Sequence, residues 1–369
     1  MVDPLRVAIC LPGLHRVVRG AEVAFESIAT ELARAGHDVT VIGSGTERAG
    51  APYRFLRAGC VPRERFEKWP KLPIFRSDCA YEELTFIPSF IRKYDPSRYD
   101  VVVTCSYPFL NWAVQLKGLR KRPVHVYVTE NGDWPLFPNG SEFAFFKCDG
   151  VVCTNPDYFD AHASRWNARL IPNGVDCSLF HPGPADRARF GLPEGKKVVL
   201  MVSALIPSKR VLEGISAVSD VPDAELVIAG DGALRDEVDA LGRELLGARY
   251  RRLSVKRDDM PALYRSADAF LHMSIDEPSA NAYIEAMATG LPIVTHDRRV
   301  TRWTIGPTGT FVDTRDRDAV ARALSRVLSE PHDRKIASSD VPRRFGWNRI
   351  AAEYANFFHE LLRRDIAAA

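Results

Sequence analysis

Glu277 and Glu285 stand with seven residues between them in the stretch from Ser274 to Val294. An apolar run, Ala269 to Met273, reads as a strand that leads into a loop, then a helix, then Gly290-Leu291-Pro292 and a further strand. Glu277 falls in the loop, and Glu285 falls in the first or second turn of the helix, where a side chain can face back toward the loop. The backbone N–H groups of Ser279, Ala280, Asn281 and Ala282 lie at the positive end of that helix and offer a place for oxygens and developing negative charge. Ionised carboxylates accept from hydroxyls and helix-end amides donate to phosphate, so the pattern suits a polyhydroxylated, phosphate-bearing ligand such as a nucleotide sugar. A glutamate in the first turn is also ordinary helix-end electrostatics, and spacing alone leaves both readings open.

These residues must be held by a larger frame, and the chain reads as two runs of alternating strands and helices. Residues 5–11 form a buried strand, followed by Pro12 to Gly20, a helix over 21–35 closed by Gly36, and a strand over 38–42. Gly20 lets the backbone approach a ligand at the helix start, although a glycine there can also simply begin the helix. The segment 45–95 is irregular, with scattered proline and aromatic residues. Strands follow over 101–105, 124–129, 150–154 and 168–171. Pro182-Gly183-Pro184 fits a linker, and the boundary is placed near 180. The alternation then restarts with strands over 198–203, 225–229, 252–255 and 269–273 and helices over 212–218, 234–246 and 260–266. From Trp347 to Arg364 the spacing of Ile350, Tyr354, Phe357, Phe358 and Leu361 is helical. Two α/β runs without a detectable sequence repeat match two Rossmann-like domains facing a cleft lined by strand carboxyl ends.

The stretch Glu277, Glu285, Ala286-Met287-Ala288-Thr289-Gly290-Leu291-Pro292 resembles the signature of the retaining GT-B glycosyltransferases, the large family that includes sucrose-phosphate and lipopolysaccharide-core transferases. The resemblance extends to Arg19-Gly20-Ala21-Glu22, where one glycine of the family's pair survives, and to Ile171-Pro172-Asn173-Gly174-Val175-Asp176. It implies an α/β fold of GT-B architecture. Residues 1–180 would bind the acceptor, 181–345 the nucleotide sugar, and 346–369 would form a helix crossing back onto the first domain.

By the same resemblance Glu277 touches the donor sugar and Glu285 holds the ribose hydroxyls. The loop Ser203 to Arg210 follows a strand, and there the family supplies an Arg and, five residues later, a Lys that stabilise the departing diphosphate. Lys209 matches the Lys, but the Arg position falls on Ala204, with Arg210 as a neighbouring cation. Ser254-Val255-Lys256-Arg257 ends a strand where relatives bind the base through backbone groups, which adds Val255 and Lys256 to the site. The family's Gly-Phe-Gly after the first glutamate is Pro278-Ser279-Ala280 here. The family His after the strand ending at Thr129 is absent; Glu130 or Asn131 is the polar substitute, and His125 reads as a core residue.

The composition, with 46% hydrophobic and 26% charged residues and a net charge of only +3, is that of a globular protein without a nucleic-acid footprint. Seven cysteines form no C-x-x-C pair and read as thiols in a reducing, cytoplasmic compartment. The nine histidines include no H-x-x-x-H pair, and Asp316-Arg317-Asp318 reads as a helix start rather than a metal motif, so no metal or other cofactor is expected. No apolar run has membrane-spanning length, and the N-terminus reads as a first strand rather than a signal peptide. The basic, aromatic segment 54–76 suits contact with the inner face of a membrane, or forms a solvated face.

The expectation is a retaining, metal-independent transferase using a UDP- or GDP-sugar and an unidentified acceptor. Its mechanism would be front-face displacement, with the leaving phosphate taking the acceptor proton. The alternative is a degenerate nucleotide-sugar binder, suggested by Ala204, the missing His and the missing Gly-Phe-Gly. A phosphorylase of the same architecture would be longer, and a dehydrogenase would carry a dinucleotide fingerprint.

Overall fold

The computed structural model describes residues 3–66, 68–70, 72, 75, 77–117, 122–131, 146–277 and 281–368. The chain divides into two compact units, Met1–Asn173 with Trp347–Ala369, and Gly174–Gly346.

The strands of the first unit are β1 (Arg6–Cys10), β2 (Asp38–Gly43), β3 (Arg54–Arg57), β4 (Val101–Thr104), β5 (Val124–Val128), β6 (Gly150–Cys153) and β7 (Ala168–Leu170). They form one parallel sheet in the order β3-β2-β1-β4-β5-β6-β7. The second unit carries β8 (Lys197–Val202), β9 (Ala224–Ala229), β10 (Tyr250–Leu253), β11 (Ala269–His272), β12 (Ile293–His296) and β13 (Thr310–Val312). Their order is β10-β9-β8-β11-β12-β13, again parallel. Both sheets contain the Rossmann order, in which the chain reverses direction between the first and fourth strands and opens a crevice beyond their carboxyl ends.

The strand sequences explain why both faces are covered. Along β1, Val7 and Ile9 enter a core shared with the helix Gly20–Arg34 and the C-terminal helix Trp347–Ala368. Ala8 and Cys10 enter another core with Phe86, Phe90 and Leu110. Alternate residues of a strand point to opposite faces, so a continuous apolar run stays dry only when helices lie on both. In the second unit Val199 and Met201 of β8 enter one core, and Val198 and Leu200 enter the other.

Helix ends follow local chemistry. At Gly36, φ is 95°, and His37 N–H donates to the Leu32 carbonyl at 3.1 Å, which closes the helix Gly20–Arg34 in a Schellman turn. The C-terminal helix buries Ile350, Tyr354, Phe357, Phe358 and Leu361, and each such side chain contributes about 1.5–3 kcal/mol. A Cβ at Gly150 would stand 2.6 Å from Leu361 Cδ1 and 2.8 Å from Phe357 Cζ, so a larger residue there would have to push these side chains aside.

Two expectations are corrected. The segment read as irregular contains β3 and a sixteen-residue helix, Asp78–Lys93, with Pro88 inside it. Proline removes one backbone bond and argues against a helix locally, but Phe86 and Phe90 are fully buried and hold it in place. The strand read over 252–255 runs two residues earlier, as β10, which leaves Ser254, Val255 and Lys256 in the loop beyond it. Among the described residues no helix is long and apolar enough to cross a membrane.

Candidate active site

In the second unit the loops after β8 and β11 leave from the two strands that flank the reversal of strand order. After β8 the chain makes a short turn, Pro207–Lys209, and Arg210 then takes a left-handed conformation (φ 52°) before the helix Val211–Ser219. This bend brings Lys209 to Glu277 on the loop after β11, and its Nζ pairs with Glu277 Oε2. The carboxylate side chain is 6% exposed and the lysine 24%. Breaking one half of so buried a pair would leave the other uncompensated.

A third group reaches the same oxygen. His272 Nε2 lies 3.5 Å from Glu277 Oε2, and its Nδ1 lies 3.0 Å from the Tyr283 hydroxyl. Tyr283 in turn is 2.7 Å from Thr295 Oγ1. Burial, and then the charge of Lys209, pushes the His272 imidazolium down to about 3, so the ring is neutral near pH 7. Lys209 is therefore the cation of this cluster.

Glu285 is the fifth residue of the helix Asn281–Ala288. Its Oε2 accepts from the Tyr264 hydroxyl at 3.0 Å, and Arg257 Nη1 approaches Oε1 at 3.4 Å. Burial raises its pKa, while Arg257 and the Tyr264 hydrogen bond oppose that rise.

Asn281 and Ala282 open their helix and are half-buried. Pro278, Ser279 and Ala280 lie outside the described residues. Ser203 Oγ is buried without a hydrogen-bond partner. Val255 is half-buried and Lys256 exposed. Arg210 is committed elsewhere: Nη2 donates to the Thr314 carbonyl at 3.4 Å and Nη1 lies 3.2 Å from Glu213. Ala204 is exposed. Asp316 caps the helix Arg317–Ser329 by accepting from Ala319 N–H at 3.0 Å. Among the described residues no group of three or more His, Cys, Asp or Glu is placed to hold a metal ion.

In the first unit Gly20 begins its helix, and the preceding Arg19 makes no side-chain cap. A Cβ at Gly13 would lie 1.9 Å from Glu22 Oε1, so the bare backbone of that loop lets Glu22 pack against it. Glu130 occupies a short turn, Thr129–Asn131, after β5. Its Oε2 accepts from Asn173 Nδ2 at 3.1 Å, while Oε1 is buried with no partner. Burial lifts its pKa to about 7. The side chain of Asn131 lies outside the described part. His125 is a core residue, with Nε2 2.8 Å from Thr104 Oγ1 and Nδ1 2.9 Å from Gln115 Nε2; burial holds its pKa near about 4.

Tyr264, His272 and Tyr283 escape a reading by motif, and Arg257, at the end of the base-side stretch, is read there without its tie to Glu285. For His272 a signal exists. It shares strand parity with Phe270, whose side chain enters the apolar core, so a polar residue there demands a partner.

Two family descriptions match the chain: "Glycosyltransferase Family 4" over residues 18–179 and "Glycosyl transferases group 1" over residues 184–343. An uncharacterized glycosyltransferase of Methanocaldococcus jannaschii is 29% identical, covering 93% of this chain and 95% of that protein. A GDP-mannose-dependent alpha-mannosyltransferase of Mycolicibacterium smegmatis is 25% identical, over 99% of this chain and 100% of its own. Among solved structures, sucrose-phosphate synthase from Thermosynechococcus elongatus superposes with a TM-score of 0.79 at 21% identity, covering 99% of this chain and 100% of that one. The Anabaena protein HepE, in complex with UDP and glucose, gives 0.71 at 17% identity, over 96% and 100% of the two chains. These two likenesses speak for the fold, and the family matches in both units speak for the activity. With the strand orders of its two sheets and its returning C-terminal helix, the chain belongs to the GT-B glycosyltransferases of the family 4 and group 1 type.

Proposed function

We propose that this glycosyltransferase moves a sugar, with retention of anomeric configuration, from a nucleotide-sugar donor held by the second unit to an acceptor hydroxyl presented by the first. One observation carries the reading: two buried carboxylates, Glu277 and Glu285, each lie against a cation, Lys209 and Arg257, around the loops at the strand reversal of the second sheet. A donor supplies complements to three of these groups. Its diphosphate draws Lys209, its sugar hydroxyls donate to Glu277, and its ribose hydroxyls donate to Glu285. The bond from the anomeric carbon to phosphate oxygen breaks, the acceptor oxygen forms the new bond on the same face, and the acceptor proton passes to the leaving phosphate. Lys209 stabilises the charge that collects on the diphosphate. The uncapped first turn at Gly20 leaves N–H groups suited to phosphate oxygens. The exposed Ala204 leaves Lys209 as the cation beside the leaving group.

The GDP-mannose named for one relative and the UDP bound by another favour UDP or GDP as the carrier. A thermal-shift panel of UDP-, GDP-, ADP- and TDP-sugars tests this. Binding at a hundred times the dissociation constant stabilises the fold by about 2.7 kcal/mol, an easily read rise in melting temperature. If every nucleotide leaves the melting temperature unchanged at millimolar concentration, the reading is wrong. Trp69 and Leu72, 53% and 51% exposed, support contact of the first unit with a membrane surface that bears the acceptor.

Glu130 is proposed to share the acceptor proton with the leaving phosphate. It can accept only when ionised, so the rate should rise as pH rises through about 7, its raised pKa. Because the phosphate shares the task, Glu130→Gln is expected to lower kcat by only about tenfold, less than loss of a sole general base. The variant should also lose the inflection near pH 7. An unchanged pH profile for Glu130→Gln removes Glu130 from the mechanism.

A further inference from the structure

The carboxylate oxygen of Glu277 that pairs with Lys209 also faces His272. An ionised carboxylate only accepts, so the ring nitrogen turned toward it must carry the proton. With the proton on Nε2, Nδ1 is a lone pair and accepts from the Tyr283 hydroxyl. Having given its proton to His272, Tyr283 must accept from Thr295. One charge therefore orders a chain of donors: Thr295 to Tyr283, Tyr283 to His272, His272 toward Glu277.

The elements are built to hold this chain. His272 of β11 and Thr295 of β12 are direct cross-strand neighbours, and Tyr283 packs over them from the helix Asn281–Ala288. The exposures are 4% for His272, 2% for Tyr283 and 0% for Thr295. Three polar side chains in an otherwise apolar core are costly unless each is satisfied, and here each has a partner in the chain.

The 3.5 Å from His272 Nε2 to Glu277 Oε2 is too long for a strong hydrogen bond while Lys209 occupies the same oxygen. We propose that His272 is a positioning residue for Glu277: when Lys209 turns to the donor diphosphate, the His272 Nε2–H closes on the vacated oxygen and keeps the carboxylate aimed at the sugar. This rests on the role proposed above for Lys209 and Glu277. The device explains how a buried carboxylate gives up its counter-ion without swinging after it. A neutral ring serves better than an imidazolium, which would oppose Lys209 and compete with the sugar hydroxyls for Glu277. Burial and Lys209 keep the ring neutral.

The test needs no donor. In the 369-residue chain labelled with ¹⁵N-histidine, the His272 signal, identified by its loss in His272→Phe, is expected to report the neutral Nε2–H tautomer between about pH 6 and 8. Lys209→Ala mimics departure of the lysine, and the Nε2–H proton resonance should move downfield as the bond to Glu277 shortens. An Nδ1–H tautomer, an imidazolium, or a resonance unmoved by Lys209→Ala overturns the proposal. Kinetics add a second arm with whichever of UDP-glucose and GDP-mannose the enzyme consumes. His272→Phe should lower kcat about 10- to 100-fold, the worth of one hydrogen bond to a charge, with donor affinity nearly unchanged. His272→Gln, which keeps an N–H donor, should recover part of that loss, whereas equal losses in both variants would indicate packing alone. If the chain binds no nucleotide, the proposed function fails while the spectrum still judges His272.

Discussion

Lys209→Ala is expected to lower kcat by about 10²- to 10³-fold, the range seen when a single group stabilising transition-state charge is removed. Donor affinity should change much less. In the free protein Lys209 is already paired with Glu277, so under the proposed role donor binding would exchange one carboxylate partner for phosphate oxygens. The charge that Lys209 meets grows as the glycosidic bond breaks, and the gain is therefore concentrated in the transition state. The measurement is kcat with the preferred donor, set beside a calorimetric dissociation constant for its nucleoside diphosphate. Equal losses in kcat/KM and in affinity, with kcat unchanged, would make Lys209 a binding group only. The variant also leaves Glu277 buried without its cation, so its melting temperature should be recorded to confirm folding.

Glu285→Gln is expected to show the opposite division, a dissociation constant for the nucleoside diphosphate raised about 10- to 100-fold with kcat at saturation nearly preserved. Two oxygens of an ionised carboxylate suit the two hydroxyls of a ribose. An amide offers one acceptor and turns donors toward Tyr264 and Arg257, which already donate at this site. Because burial raises the Glu285 pKa, the sign of the wild-type pH effect follows. As pH falls through that raised value the carboxyl protonates, so nucleotide affinity should weaken at higher pH than it would with an ordinary glutamate. Wild-type affinity in Glu285→Gln would place the ribose elsewhere.

Much of this frame is legible in the residues themselves. Apolar runs such as Val198 to Met201, short and rich in β-branched residues, read as strands covered on both faces, and Gly36 marks a helix end through a positive φ that costs other residues dearly. Glu277, Glu285 and Lys209 stand out because loop and helix start fall in a recognisable pattern. The helix Asp78–Lys93 is hidden because Pro88 contradicts it locally, and its support comes from aromatic residues buried against a sheet distant in sequence. His272 and the meeting of Arg257 and Tyr264 with Glu285 are hidden for a related reason. Arg257 and Tyr264 come from the segment after β10, and they meet Glu285 only because the parallel sheet sets the neighbouring loops and helices side by side. Arg210 misleads in the other direction. Beside Lys209 in sequence it suggests a second cation, but its left-handed backbone and its bond to the Thr314 carbonyl direct it away.

Every variant above depends on a nucleoside diphosphate sitting on the second unit between Lys209 and Glu285. A crystal structure of the chain with UDP or GDP, whichever raises the melting temperature more, tests it directly. The expected result is the ribose hydroxyls on the Glu285 carboxylate and the diphosphate within hydrogen-bond reach of Lys209 Nζ, with the Lys209–Glu277 pair opened. A nucleotide bound away from both side chains, with that pair intact, would contradict it.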